Sequence, residues 1–432
     1  MMRVDDRGHL LSSSGTSCPS YIDVFAGCGG LSLGLERSGW QGLFAIEKDR
    51  FAFATLAANF LESQSRFNYA WPNWLERRPW AVEAILAQHK TQLRTLRGTI
   101  DLLAGGPPCQ GFSSAGRRRP NDPRNVLVER YLELVELLEP RLLLIENVRG
   151  FTQDFQTAGA TFVRENFAAQ LTRSLSTDYE TQAVLLRASD YGVPQTRPRF
   201  ILAGVRRAAD LSLNPLDHLA AARDHVLRRW GLQANPTASD AISDLEVARN
   251  ELTPCADSPG FEAIGYREPL TPYQLAMRDE FDGSPSDTRL AKHSPVIRER
   301  FANIIEMCRE QGRSTRSLSP AMRGHFGLSK MAIRVLDSGK PAPTVTSMPD
   351  DLIHYSEPRT LTVRENARLQ TFPDWFVFQG KYTTGGHLRR LEVPRFTQVA
   401  NAVPPLLAEI LGECLRAHCF ARSHALIAEP AG

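Results

Sequence analysis

The stretch YIDVFAGCGG, residues 21–30, joins a β-rich run to a turn made mostly of glycine. Residues 21–25 predict a short strand, because β-branched and aromatic side chains dominate them, and residues 26–30 end it. A helical pattern follows over residues 31–37 and stops at Gly39. The sequence therefore predicts one strand–turn–helix unit, and the rest of the fold extends outward from it.

The same alternation continues along the chain. Further strands are predicted over residues 42–46, 101–104, 141–145 and 200–203. Further helices are predicted over residues 51–60 and 126–138, and a third helix between them ends at about Arg97. The later strands are apolar without interruption, which is typical of strands that are covered on both faces. We therefore predict an α/β fold with a parallel sheet and helices on both faces. Its ligands are expected beyond the carboxyl ends of the strands.

Length and composition set the remaining limits. The chain has 432 residues, of which 42% are apolar and 23% charged, so we expect a soluble globular protein of two domains. The net charge is only +3, so any nucleic-acid surface must be local. Seven scattered cysteines without C-x2-C spacing indicate a reducing cytosol and argue against structural zinc. Residues 1–20 are expected to be a disordered leader, and no apolar run is long enough to span a membrane.

The middle of the chain departs from the alternating pattern. Residues 206–290 hold 9 basic and 14 acidic residues, whereas residues 291–355 hold 10 basic and 6 acidic ones. We interpret residues 206–358 as a smaller, irregular second domain between a first domain, residues 21–205, and a segment that returns to complete it, residues 359–432. Within the returning segment a helix is predicted over residues 399–414.

The glycine turn and Glu47 form the first candidate site. Glycines between a strand and a helix let a ligand approach the backbone, and the helix N-terminus offers free N–H donors. Glu47 ends the second predicted strand, where a carboxylate can accept hydrogen bonds from ribose hydroxyls. Ser32 stands where a dinucleotide fold has its third glycine, which disfavours a pyrophosphate ligand. A nucleoside site and a tight structural turn both remain open.

Residues 105–113 read GGPPCQGFS and place Cys109 in a loop rich in proline and glycine. Such a loop leaves the thiol accessible, and nearby cations favour the reactive thiolate. Four arginines follow in the same loop: Arg117, Arg118, Arg119 and Arg124. Beside a nucleophile they are candidates for phosphate contacts. A buried, inert cysteine and a solvated charged face are the alternatives.

Glu146 and three alternating polar residues complete the candidates. Glu146 follows the fourth apolar strand, where loss of water raises the pKa of a carboxyl and lets it donate a proton near neutral pH. Gln195, Arg197 and Arg199 alternate in an extended segment, so they are predicted to share one face. Fixed guanidinium groups suit a carboxylate, a phosphate or a base carbonyl. A helix cap for Glu146 and structural salt bridges for the arginines are the alternatives.

Seven short motifs occur in a fixed order: FAGCGG (25–30), EKD (47–49), PPCQGFS (107–113), ENV (146–148), QTRPR (195–199), RTLTVRE (359–365) and QVANAVPP (398–405). Together they resemble the DNA (cytosine-5)-methyltransferase family of bacterial restriction–modification systems. The resemblance covers about residues 21–204 and 359–411, and the irregular stretch falls where that family carries its target-recognition domain. It implies a Rossmann-like, S-adenosylmethionine-dependent methyltransferase sheet. The implied reaction transfers a methyl group from S-adenosylmethionine to C5 of a flipped-out cytosine in a specific double-stranded DNA sequence.

The resemblance also implies a role for each motif residue. Among the catalytic residues, Cys109 would be the nucleophile at C6, Glu146 would hold the base edge and Arg199 would contact the cytosine O2, with Arg197 in support. The cofactor-binding residues would be Phe25, Ala26, Gly27, Gly29, Gly30, Glu47, Pro108, Leu127 and Asn401. The DNA-binding residues would be Gln110, Ser113, Arg117, Arg118, Arg119 and Arg124. No metal is implied. The acidic residue that binds the adenine amine in the family has no evident counterpart, and Glu83 is only a candidate.

Partners and alternatives follow from the same resemblance. Double-stranded DNA is the expected substrate, and the basic residues 291–355 are expected to carry more of its contacts. We expect a monomer in the bacterial cytosol, with a cognate restriction endonuclease that acts on the same site without forming a stable complex. An enzyme acting on transfer RNA, a thymidylate-synthase-like enzyme, a nicotinamide dehydrogenase and a catalytically silent DNA-binding regulator are the alternatives. The recognition sequence itself is not predicted, since base readout depends on a few side chains in the irregular stretch.

Overall fold

The computed structural model describes residues 18–107, 125–152, 166–209, 211, 214–386, 388 and 391–420. Cys109, the predicted nucleophile, therefore lies outside the described residues, as do its neighbours in the loop. Among the residues that are described, no helix is both long and apolar enough to cross a bilayer.

The described strands form one six-stranded sheet and two small two-stranded sheets. In chain order they are β1 Ser20–Val24, β2 Gln41–Ile46, β3 Leu102–Gly105, β4 Leu142–Val148, β5 Tyr179–Arg187, β6 Pro198–Arg206, β7 Leu252–Pro254, β8 Glu262–Ile264, β9 Arg334–Val335 and β10 Leu352–Ile353. The large sheet has the order β2-β1-β3-β4-β6-β5. Together with the helices around it, this sheet confirms the predicted α/β class.

The large sheet is mixed, whereas the sequence predicted a parallel one. The first four strands in chain order pair in parallel, but β6 runs antiparallel to β4. The prediction was wrong here because an apolar run looks the same in either chain direction. The antiparallel pairing brings the start of β6, rather than its end, to the edge where β1 to β4 end.

The helices follow the predicted alternation in the first part of the chain. The described helices are α1 Gly30–Arg37, α2 Arg50–Phe60, α3 Val82–Gln88, α4 Lys90–Thr95, α5 Asn125–Leu138, α6 Phe167–Leu175, α7 Leu219–Trp230, α8 Ala238–Ile242, α9 Pro272–Arg278, α10 Pro295–Glu310, α11 Pro320–His325, α12 Val363–Leu369, α13 Arg395–Asn401 and α14 Pro405–Phe420. The single helix predicted over residues 399–414 is wrong, since α13 ends before Ala402 and α14 begins at Pro405. A proline disfavours helical backbone in the residue before it and suits the first helical position, so the two prolines at 404 and 405 explain the break.

The chain divides into two compact units. The first comprises residues 1–186, 198–226 and 408–432, and it contains the large sheet, in which every residue of β1 and β3 is buried. The second comprises residues 187–197 and 227–407 and includes a small apolar core in which Ile304, Cys308 and Val335 are buried. The segment predicted to return to the first domain, residues 359–432, is therefore divided between both units.

Candidate active site

Strands β1, β2 and β3 end in one row of the sheet, and β4 passes through the same row before it continues to Val148. Val24 pairs with Ile46 on one side and with Gly105 on the other, and Gly105 pairs with Ile145. The residue that follows in each of the four strands therefore lies just beyond this row. These residues are Phe25, Glu47, Gly106 and Glu146, and the sequence motifs meet there because the strands are in register.

The turn after β1 has a backbone that only some residues tolerate. Phe25, Gly27 and Gly29 have φ angles of 63°, 57° and 94°, in the left-handed region that favours glycine. A Cβ added to Gly29 would lie 2.6 Å from a ring carbon of Phe60, so a side chain there would collide with α2. A Cβ at Gly27 would meet nothing within 4 Å, so its backbone conformation is the constraint and open space lies beside the turn.

Glu47 ties the turn to the end of β2. One carboxylate oxygen accepts a hydrogen bond from the Gly27 N–H at 2.9 Å, and the other accepts one from the Asp49 N–H at 2.7 Å. Burial raises the pKa of this half-buried carboxyl, and the two backbone N–H groups oppose the shift. A carboxylate offers about four acceptor sites, so lone pairs remain after these two bonds. The side chain can therefore accept further hydrogen bonds from a ligand at the turn.

Glu146 and Arg199 form a buried ion pair at the same edge. Their side chains are joined through the Nε of Arg199, and the two residues are 8% and 4% exposed. Burial raises the pKa of Glu146, and Arg199 lowers it in part. The second carboxylate oxygen, Oε2, lies 3.4 Å from the position of a Cβ added to Gly106. A carboxyl with a raised pKa is thus placed beside the segment that leads to Cys109.

Asn147, for which no role was predicted, also contacts this edge. Its side-chain amide donates to the Pro107 carbonyl at 3.0 Å, and its amide oxygen accepts from the Val148 N–H at 2.8 Å. The only signal in the sequence was its place directly after Glu146 in the ENV motif. A side chain of a neighbouring strand therefore holds the last described residue before Cys109.

The other candidate residues are distributed over the first unit, the second unit and the loop outside the described residues. Leu127 is half-buried on α5 in the first unit, and Glu83 is exposed in the first turn of α3. In the second unit, Arg197 is buried and donates to the carbonyls of Val345 and Ala402, while Asn401 is exposed at the end of α13. Arg197 thus belongs to a different unit from Arg199, and a shared face of the two arginines stays a prediction. Eight candidates lie outside the described residues: Pro108, Cys109, Gln110, Ser113, Arg117, Arg118, Arg119 and Arg124.

The described edge fits a nucleoside ligand that carries hydroxyl donors. Space beside Gly27 allows close approach to the backbone, and the free lone pairs of Glu47 accept hydroxyl protons. In the described part of the chain, no group of three or more His, Cys, Asp or Glu side chains could hold a metal ion. The polar groups of the edge are thus those expected around the ribose of a nucleoside cofactor.

Comparison with a protein-family model identifies a counterpart for most of the chain. The model described as C-5 cytosine-specific DNA methylase matches residues 20–416. The match spans both compact units, including the irregular stretch between the motifs.

Individual relatives agree with the family model. The type II methyltransferase M.DdeI of Desulfomicrobium norvegicum is 31% identical over 403 residues, which cover 91% of this chain and 87% of that protein. The type II methyltransferase M.XorII of Xanthomonas oryzae pv. oryzae is 30% identical over 414 residues, with 91% and 84% covered. Among solved structures, a protein described as a DNA modification methyltransferase encoded within an Escherichia coli prophage has a TM-score of 0.61 and 27% identity, with 93% of this chain and 99% of that chain covered.

Proposed function

This chain belongs to the C-5 cytosine-specific DNA methylase family and is a DNA (cytosine-5)-methyltransferase, and we propose that it methylates one specific double-stranded sequence through a covalent bond from Cys109 to C6 of the target cytosine. The observation that carries the proposal is the row of strand ends, which places Glu47, Gly106 and Glu146 at one edge of the sheet. The relatives are type II methyltransferases, so protection of DNA from a restriction endonuclease that cuts the same sequence is the proposed role. We propose that the enzyme acts in the cytosol as a monomer.

The chemistry begins with the nucleophile and the acid. C5 of cytosine is a poor nucleophile until a thiolate adds to C6 and breaks the aromaticity of the ring. Cys109 is proposed to make this bond, while Glu146 hydrogen-bonds N3 and the exocyclic amine of the base. The raised pKa of Glu146 supports this role, because burial makes the carboxyl bind a proton more readily and so favours a proton shared with N3. Once C5 carries the methyl group, its proton passes to a base such as water, and the C5–H electron pair re-forms the C5=C6 double bond. Cys109 then leaves as the thiolate, and the carboxylate of Glu146 takes back the N3 proton.

Arg199 holds Glu146 in place during these steps. The ion pair fixes Oε1 of the carboxyl, so Oε2 is the oxygen that remains for the base. The planar guanidinium also keeps donors for the cytosine O2, which is its proposed contact. The base must leave the duplex to reach these groups, which costs a few kcal/mol that contacts in the pocket offset.

Residues of the first strand ends are proposed to hold S-adenosylmethionine. Glu47 would accept the ribose hydroxyls, and Phe25, Ala26, Gly27, Gly29 and Gly30 would line the pocket, completed by Pro108, Leu127 and Asn401. When bound, this cofactor supplies an electrophilic methyl group on a sulfonium. The proposed task of the chain is to hold that group where water is excluded and C5 can reach it.

The DNA surface is proposed to lie on basic side chains of the second unit. Residues 292–334 hold 9 basic and 3 acidic residues. Of these cations, Lys330 pairs with Asp350 and Asp351, whereas the described ion pairs include none for Arg298, Arg316 or Arg323. Cations outside the described ion pairs are available to a polyanion, and their binding to phosphates releases the counterions of DNA. In the loop outside the described residues, the contacts with DNA are proposed for Gln110, Ser113, Arg117, Arg118, Arg119 and Arg124.

Bisulfite sequencing tests the proposed function. The purified protein is incubated with plasmid DNA and S-adenosylmethionine, and cytosines that resist conversion are mapped. We expect protection within one short repeated sequence, none with the Cys109→Ala variant, and retained DNA binding by that variant. Methylation by Cys109→Ala would refute the covalent mechanism. No protection by the wild type, despite measured cofactor binding, would refute the DNA substrate.

A further inference from the structure

Asn147 occupies a position that the proposed chemistry does not explain. It is 3% exposed and follows Glu146 directly in β4. Both ends of its side-chain amide are engaged, one by the Pro107 carbonyl at 3.0 Å and the other by the Val148 N–H at 2.8 Å. The amide is therefore held in one orientation, with its N–H groups directed at the chain that leaves β3.

The carbonyl of Pro107 needs this donor because the strand has already ended. β3 pairs with β4 as far as Gly105, opposite Ile145, while β4 continues to Val148 paired with β6. Pro107 is nevertheless buried, and a buried carbonyl without a partner is costly. The side chain of Asn147 therefore takes the place of the missing sheet hydrogen bond.

The bond acts on the peptide group that leads to the nucleophile. Pro107 and Pro108 precede Cys109, and each ring limits the backbone to a narrow range of φ. The carbonyl that Asn147 holds belongs to the peptide group between these two prolines. Glu146 borders the same segment, since its carboxylate and its carbonyl oxygen each lie 3.4 Å from a Cβ added to Gly106. Two consecutive residues of β4, Glu146 and Asn147, thus border the segment that leads from β3 to Cys109.

We propose that Asn147 is a positioning residue for the nucleophile: it sets the direction in which the chain leaves Pro107 and so aligns the Cys109 thiol with the base that Glu146 holds. The inference rests on the proposed function, because it needs Cys109 to attack the cytosine. Asn147 itself is proposed to touch neither the base nor the cofactor.

The test uses a DNA duplex that carries 5-fluorocytosine at the target found by bisulfite sequencing. Fluorine replaces the proton that must leave C5, so the covalent complex with Cys109 persists and can be counted on a denaturing gel. Asn147→Asp keeps the shape but sets an acceptor against the carbonyl, and Asn147→Ala removes the donor without adding charge. Asn59→Asp is the matched control, because Asn59 is also buried and its amide donates to the Thr55 carbonyl at 2.7 Å within α2.

At saturating DNA and S-adenosylmethionine, we expect both Asn147 variants to form the complex about 10²-fold more slowly than the wild type. The Kd values for the cofactor and for unmodified DNA should stay within about twofold, which a merely structural defect would not allow. A wild-type rate in both variants would overturn the proposal, as would an equal loss in Asn59→Asp or a parallel loss of cofactor affinity. Absence of the complex with the wild-type enzyme would instead refute the covalent mechanism itself.

Discussion

Two buried glutamates, Glu146 in the first unit and Glu365 in the second, each pair with an arginine but differ in the direction of their pKa shift. Glu146 is joined to Arg199 through one nitrogen, and burial leaves its pKa raised. Burial acts on Glu365 in the same sense, but Arg359 contacts both of its oxygens, at 2.7 and 2.8 Å, and the pKa is lowered. The Thr362 N–H adds a third donor at 2.6 Å. Around Glu365 the charge of Arg359, its two hydrogen bonds, His354 and the Thr362 N–H together outweigh burial, whereas Arg199 alone does not outweigh the burial of Glu146.

We expect this difference to separate the catalytic role proposed for Glu146 from a structural role of Glu365. A raised pKa means that the folded protein disfavours the charged form, so a neutral side chain of the same shape costs little stability. A lowered pKa means that the charged form contributes to folding. We therefore expect neutralisation of Glu146 to cost less folding free energy than neutralisation of Glu365.

The largest expected effect is on turnover, in Glu146→Gln. We expect the methylation rate to fall by about 10²–10⁴-fold, because an amide cannot hold and release the proton at N3. The thermal unfolding midpoint and the affinity for S-adenosylmethionine should stay near the wild-type values. Rates come from single-turnover transfer of a labelled methyl group. An unchanged rate would remove Glu146 from the catalytic set.

Glu365→Gln should show the opposite pattern, a loss of stability. Breaking a buried ion pair typically costs about 3–5 kcal/mol, and we expect the lower end because Arg359 also pairs with Glu357. The free energy of unfolding is measured by urea titration, with the exposed Glu306→Gln as the control, expected within about 0.5 kcal/mol of the wild type. Wild-type stability in Glu365→Gln would contradict the structural role of this pair.

Much of the first unit was predictable from the sequence because its signals are local. Apolar runs ended by glycine or by charged residues located β1 to β4, and Glu47 directly follows β2 as predicted. Glu146, which was expected after the fourth strand, lies within β4 instead, because β4 continues to Val148 through its pairing with β6. Parallel strands then bring such ends together whatever the other details of the fold. The prolines at 404 and 405 also indicate the break between α13 and α14, but the apolar pattern continues across them and favoured a single helix.

Other features depend on contacts that no local pattern encodes. The direction of β6 depends on its pairing with β4, and the partner of Asn147 lies 40 residues earlier in the chain. The opposite pKa shifts of Glu146 and Glu365 depend on the charges and donors that surround each carboxyl in the folded protein. The sequence could identify the charged residues but could not count their partners.

Glu47 is intermediate between Glu146 and Glu365 in its surroundings. Its pKa is raised, although its carboxylate accepts hydrogen bonds from two backbone N–H groups. We expect Glu47→Gln to weaken binding of S-adenosylmethionine by about 10–100-fold, because hydrogen bonds to a charged group contribute roughly 1.5–3 kcal/mol. The rate at saturating cofactor should change far less. Calorimetric titration measures the affinity, with the exposed Glu76→Gln as the control. Equal affinities in the wild type and Glu47→Gln would exclude the ribose contact.

A pH-dependent effect concerns Asp23, a buried acid of β1 for which the described residues supply no ion pair. Burial raises its pKa from 3.8 to about 7, while the Ser32 hydroxyl, 2.6 Å away, opposes the shift. Between about pH 4 and pH 7 the folded protein therefore holds a proton that the unfolded chain has lost, so stability falls as pH rises through that window. The slope is at most about 1.4 kcal/mol per pH unit for one group. Asp23→Asn cannot titrate, and urea titrations at several pH values should show a shallower decline. Some slope should persist because Glu36, with a pKa near 8, acts in the same sense. An identical slope in variant and wild type would show that Asp23 is charged in the folded protein, as Glu365 is.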